Sequence, residues 1–113
     1  MNKHIKKKWI EALRSGEYEQ GTRHLSKDNK YCCLGVLCEL AVKEGVVKKD
    51  INEGVTSYDN KSDFLPPSVA SWADMDNRGY YITYDGSIDG LYWNNDEEGL
   101  SFSQIADIIE EYL

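Results

Sequence analysis

The sequence predicts a small α+β fold: one globular domain over residues 1–113, with three to four helices packed on short antiparallel strands. Three observations predict it. Apolar residues recur at helical spacing near both ends of the chain and once in between, at Ile5, Trp9, Ile10 and Leu13, at Leu34, Leu37, Cys38 and Ala41, and at Ile105, Ala106, Ile108 and Ile109. Runs rich in β-branched and aromatic residues lie between these stripes, at residues 55–58 and 80–84. Polar clusters carrying Gly, Asn, Asp and Ser separate the two kinds of segment.

The first helix is expected over residues 3–15, with Lys6, Lys7, Lys8, Glu11 and Arg14 on its wetter sides and Gly16 placed to end it. Residues 18–25 contain Gly21 and mix polar with aromatic side chains, so an extended run is expected before a turn at Ser26-Lys27-Asp28-Asn29. Tyr31 and Cys32 read as a short returning strand, which makes a hairpin. A second helix follows over residues 33–43 and stops at Gly45. Gly35 inside it costs roughly 1 kcal/mol relative to Ala, and its presence predicts the close approach of another backbone.

Residues 46–63 read as a surface excursion with a strand at 55–58 between two turn clusters. Pro66 and Pro67 are placed to start a short helix through Trp72, with Val69 and Trp72 facing inward. A strand at residues 80–84, an Asp85-Gly86 turn and a return over residues 88–93 are expected next. Ser101 with Gln104 three residues on is a capping box, and the helix it opens carries an apolar stripe ending at Leu113, with Asp107, Glu110 and Glu111 wet.

Composition bounds the function. Apolar residues make up 41% and charged residues 29%, which is globular, and no apolar run approaches the roughly 20 residues of a membrane span. The N-terminus is charged without an apolar signal region, so a soluble, cytoplasmic protein is the expectation. The net charge of −7 is uneven. Residues 1–30 hold eight Lys and Arg against four acids, whereas residues 74–113 hold one Arg against ten acids. This asymmetry suits self-complementary association, or two ordinary solvated faces, and argues against duplex nucleic acid, which calls for a broad positive surface.

Cys32, Cys33 and Cys38 are an odd set with two neighbours, and they read as buried, reduced thiols. Their spacing fits zinc poorly. His4, in a lysine run, and His24, beside Arg23, both read as exposed and non-catalytic. No phosphate-binding glycine loop, dinucleotide fingerprint, zinc-protease helix or nucleophile elbow is present. Asp96-Glu97-Glu98-Gly99 lacks the alternating oxygens of a calcium loop and reads as a solvated turn. No cofactor, no metal and no catalytic residue is therefore assigned.

Binding requires less than catalysis. Arg14, Ser15, Tyr18, Gln20 and Arg23 cluster where the chain leaves its first helix, and guanidinium groups and aromatic rings are what hold a phosphate and a nucleobase. Tyr31, Trp93 and Asn95 complete the candidate ligand set. The alternative is structural, with Arg14 set against the helix dipole and Tyr18 packed in the core.

The blocks KWIEALRSGEYEQGT, YCCLGVLCELA, LPPSVASWA and NNDEEGLSFSQIADIIEEYL, in this order, resemble a widespread family of small tailed-phage proteins. The resemblance covers nearly the whole chain except residues 46–63. That family often carries glycine where Arg23 stands here. The family is similar in turn to phage anti-CBASS proteins of the nucleotide-sponge kind. The resemblance implies a homo-oligomer, a dimer or tetramer, that binds a cyclic dinucleotide second messenger and withholds it uncleaved. A ligand of about 45 non-hydrogen atoms at roughly −0.3 kcal/mol per atom could bind with about −13 kcal/mol. Two other classes are weighed beside this one: an acidic interaction protein that inhibits a host nucleic-acid-binding or defence protein, and a small phosphodiesterase.

Overall fold

In the computed structural model, residues 1–75 and 90–113 are described. Among them are five helices and one five-stranded sheet, so the class is α+β as expected, with more helices than the periodicity alone predicts. No helix among the described residues is long and apolar enough to cross a membrane.

α1 (Lys3–Arg14) starts at Asn2, whose side-chain oxygen accepts the N–H groups of His4 and Ile5, and buries Ile5, Trp9, Ile10 and Leu13. The Trp9 indole N–H donates to the Cys33 carbonyl at 2.9 Å, so the largest core side chain also fixes the start of the next helix. α2 (Cys33–Lys43) is buried along every residue from Cys33 to Glu39, as befits a helix enclosed on all sides. It touches α1, the helices α3 (Pro67–Trp72) and α4 (Gly90–Asp96), and the strand β3 (Lys30–Tyr31). α5 (Phe102–Tyr112) packs on α1 and α4, and both bonds of its Ser101–Gln104 capping box are formed.

The remaining strands are β1 (Glu19–Gln20), β2 (Ser26–Lys27), β4 (Lys49–Asn52) and β5 (Val55–Tyr58), in the sheet order β1-β3-β2-β5-β4. The sheet is mixed, not purely antiparallel: β1 runs parallel to β3, and the other pairs are antiparallel. The hairpin turn is shorter than expected. Only Asp28 and Asn29 turn, with φ of 52° and 63°, while Ser26 and Lys27 pair as a strand with Tyr31 and Lys30. Two consecutive positive φ values are what a tight hairpin turn demands, and Asp and Asn tolerate them. Cys32 is not a strand residue; its sulfur caps α2 by accepting the Gly35 N–H at 3.3 Å.

Residues 46–63 are less of an excursion than expected. They form the β4–β5 hairpin, and Val47, Thr56 and Tyr58 enter the interior. Lys49–Asn52 carries no apolar alternation, so nothing in its sequence announces a strand. Val69 is buried as expected, whereas Trp72, Ile108 and Leu113 are only half-buried. The expected return strand over residues 88–93 is instead helical from Gly90 onward, in α4. The strand at 80–84, the Asp85-Gly86 turn and residues 88–89 lie outside the described residues.

Candidate functional site

The tight Asp28-Asn29 turn sets Lys27 directly opposite Lys30 on one face of the β2–β3 hairpin. Like charges so placed destabilise a hairpin by roughly 0.2–1 kcal/mol. Little among the described residues offsets this. Lys30 has only Glu19, across the parallel pair at 3.9 Å, and Lys27 forms no ion pair among the described residues. Beside them runs a groove of about 420 Å³ lined by Gln20, Gly21, Thr22, Lys27, Asp28 and Lys30. Gly21 makes its wall possible: a Cβ there would stand 2.8 Å from the Lys30 Cβ. With Lys30 near Glu19 and Asp28 also lining the groove, Lys27 is the lining ammonium without an ion pair among the described residues, a donor that an anion can take up.

Asn95 fixes the groove from behind. It is 1% exposed, and its Oδ1 accepts from Gln20 Nε2 at 2.9 Å and from the Cys33 N–H at 3.2 Å. Its Nδ2 donates to the Gly21 carbonyl at 2.9 Å and to Asp96 Oδ1 at 2.8 Å. Both halves of the amide are therefore engaged within the protein. Gln20 Nε2 is engaged as well, with a second bond to the Leu100 carbonyl at 2.8 Å. Asn95 and Gln20 come together as the sequence reading groups them, but as the groove's support: Asn95 holds the Gly21 backbone and the head of α2 in one place.

The other residues of the sequence-derived set are dispersed. Arg14 turns to α5, with its guanidinium 2.6 Å from Asp107 and 3.1 Å from Glu110, and those bonds raise its pKa. It borders a different groove, with Lys3, Lys6 and Lys7. Ser15 caps α1 through its bond to the Ala12 carbonyl. Arg23 pairs with Glu97 at 2.8 Å, and its φ of 70° explains why glycine suits that position. Tyr18 and Tyr31 meet edge to face with ring centroids 5.3 Å apart, both half-buried, and the Tyr18 hydroxyl accepts from Lys43 at 3.2 Å. Tyr31 follows Lys30 along β3, so its ring lies on the sheet face opposite the lysine pair. Trp93, 45% exposed on α4, is an open ring.

The acids and thiols find intramolecular roles. Glu97 holds Arg23, Glu98 accepts from Asn94, and Asp96 accepts from Asn95. No group of three potential metal ligands occurs among the described residues. All three cysteines are free and buried. Burial pushes the Cys32 thiol up to about 12 and raises Cys33 and Cys38 well above the ordinary range, so none is a thiolate at neutral pH. A buried polar cluster that the sequence does not reveal joins Glu39 of α2 to the sheet. The Tyr58 hydroxyl donates to it at 2.6 Å and Lys49 at 3.0 Å. Burial and that carboxylate raise the Tyr58 pKa.

Lys27, Lys30 and Thr22 are the site residues that sequence reasoning misses. The signal is present in Lys27-Asp28-Asn29-Lys30: an Asp-Asn pair accepts positive φ at both positions, and a two-residue turn there places the flanking lysines opposite one another. Treating Ser26 and Lys27 as part of the turn hides it.

No curated protein and no solved structure matches the chain. The model of one family, Domain of unknown function (DUF8296), spans residues 1–113, and the chain belongs to that family.

Proposed function

We propose that the protein binds a phosphate-bearing nucleotide of the cyclic dinucleotide class in the groove beside Lys27 and Lys30, and sequesters it without cleaving it. The observation that carries this reading is the cross-strand lysine pair. A hairpin that sets two lysines directly opposite one another, one of them without an ion pair among the described residues, gains stability when an anion bridges them. A polar groove with a glycine-thinned wall admits a phosphate close to the backbone. The likeness to phage nucleotide sponges favours the same ligand class and gives the bound nucleotide the role of an antiphage signal withheld from its effector. Arg14, engaged by two carboxylates, has no part in this grip.

The test is a thermal-shift screen of the purified chain against cyclic mononucleotides and dinucleotides. A ligand at 100 times its dissociation constant stabilises the fold by roughly 2.7 kcal/mol. The bound fraction is then released by heat and analysed. Intact ligand recovered from a stabilised protein is the expected result, and recovery of a linearised product refutes sequestration.

A further inference from the structure

Asp28 lines the same groove as Lys27 and Lys30, and it is out of keeping with a site for a simple anion. A carboxylate there repels phosphate, so its presence calls for a ligand that also brings hydrogen-bond donors. Nor is it occupied inside the protein. Among the described residues its carboxylate forms no ion pair and accepts no hydrogen bond, although lysines stand on both strands beside it.

Two neighbouring turns seat this carboxylate. β2 pairs with β5 as Ser26↔Thr56 and Lys27↔Val55, so the residues that follow, Asp28 and Gly54, meet where the two hairpins turn side by side. The Asp28 N–H donates to the Gly54 carbonyl at 2.8 Å. Asp28 Oδ1 lies where a Cβ on Gly54 would stand, so only a glycine there lets the carboxylate rest against the second turn. Asp28 itself holds a φ of 52°, which aspartate tolerates. A backbone bond and a missing side chain thus place the carboxylate beside the lysine pair, with its lone pairs left for a donor from outside.

We propose that Asp28 reads the base of the bound nucleotide and selects guanine, an assignment that rests on nucleotide binding in this groove and narrows it to one base. An ionised carboxylate is acceptor-only and presents two oxygens side by side. The Watson–Crick edge of guanine offers two neighbouring donors, N1–H and the N2 amino group, so one base fills both oxygens. Adenine sets its N6 donor beside a bare N1 acceptor, and cytosine sets N4 beside N3. Each leaves one carboxylate oxygen facing a lone pair, which a site built to accept hydrogen bonds penalises. Uracil flanks its one donor, N3–H, with two carbonyls. Of the four bases only guanine satisfies Asp28 while the phosphates reach for Lys27 and Lys30. Cation and carboxylate in one groove then serve opposite ends of one ligand.

Calorimetric titration of the full chain with cyclic di-GMP, cyclic di-AMP and cyclic di-IMP is the test. The parent should bind the guanine ligand about tenfold or more tighter than the adenine ligand, as a bidentate base contact provides. The inosine ligand keeps N1–H but lacks the N2 amino group, and should fall between them. Asp28→Asn retains the turn, because asparagine accepts the same backbone, but its carboxamide sets a donor beside an acceptor and so matches adenine. The preference is expected to fall to about parity or to invert, and as a ratio within one folded protein it is insensitive to a change in stability. Equal affinity for the two bases, a preference for adenine in the parent, or a guanine preference that Asp28→Asn leaves intact overturns the assignment and leaves sequestration standing. So does a variant that loses both ligands alike, the pattern of a contact to ribose. A parent that binds none of the three removes the nucleotide reading itself, and the assignment with it.

Discussion

The Leu25 carbonyl rests on Gly35: its carbon lies 2.7 Å from the point where a Cβ would stand on that residue, and its oxygen accepts the Cys32 N–H at 3.2 Å. The chain entering β2 is thus seated on the first turn of α2, and this contact determines how far the hairpin with Lys27 and Lys30 stands from the core. Gly35→Ala gains helix propensity of roughly 1 kcal/mol but forces backbone apart. A net loss of about 2 kcal/mol is expected, read as a fall of several degrees in the thermal midpoint. A variant as stable as the parent shows that the seat is not tight.

Arg23 holds a left-handed conformation that costs an L-residue roughly 1–2 kcal/mol. Its exposed pair with Glu97 returns no more than about 1 kcal/mol. Arg23→Gly is therefore expected to raise stability in chemical denaturation, and Glu97→Ala, which removes the pair but keeps the strain, to lower it slightly. Destabilisation by Arg23→Gly would show that the ion pair outweighs the backbone.

Asn95→Ala leaves the Gly21 carbonyl and the Cys33 N–H without their side-chain partner and the Gln20 amide with the Leu100 carbonyl alone. A loss of about 2–4 kcal/mol is expected by denaturant titration. At temperatures where the variant remains folded, ligand affinity should fall too, because the groove wall at Gly21 loses its tether. Unchanged affinity in the folded variant would separate Asn95 from the site.

Alkaline pH should unfold the protein early. The folded Cys32 thiol is raised from 9.0 to about 12, and Cys33 and Cys38 are raised as well. Below pH 9 both the folded and unfolded states hold these protons, and the contribution to stability is complete. Between pH 9 and 12 the unfolded chain releases the Cys32 proton while the folded one does not, so stability falls by about 1.4 kcal/mol per pH unit for that thiol, and Cys33 and Cys38 act in the same direction. Cys32→Ser retains a capping oxygen without a titrating group and should make the decline shallower. A pH profile identical to the parent's would show that this thiol ionises alike in both states.

Helices with strong periodicity or explicit caps were legible in the sequence, because the signals of α1, α2 and α5 are local: Leu34, Leu37, Cys38 and Ala41 mark one stripe, and Ser101 with Gln104 marks one start. Gly35 was legible for the same reason, as a cost that only a close neighbour explains. β4 was not, since its four exposed residues owe their strand state to pairing with β5 rather than to their own pattern. The site followed suit. The chemistry of Gln20 and Asn95 marks them in the sequence and they meet through a bond spanning 75 residues, but only the fold shows that the bond occupies their amides. Arg14 stands near Tyr18 in sequence, yet it projects from α1 toward α5, and sequence distance says nothing about that choice of face.

Whether the lysine pair grips an anionic nucleotide is decided by titration calorimetry of the protein with the best cyclic dinucleotide of the screen, comparing the parent chain with Lys27→Ala and Lys30→Ala. Each substitution should weaken binding about tenfold or more, as the loss of a charge-assisted bond of roughly 1.5–3 kcal/mol requires, and the parent's affinity should drop as salt rises. Binding that survives both substitutions unchanged, or no binding of any cyclic nucleotide by the parent chain, would show that Lys27 and Lys30 form no such grip.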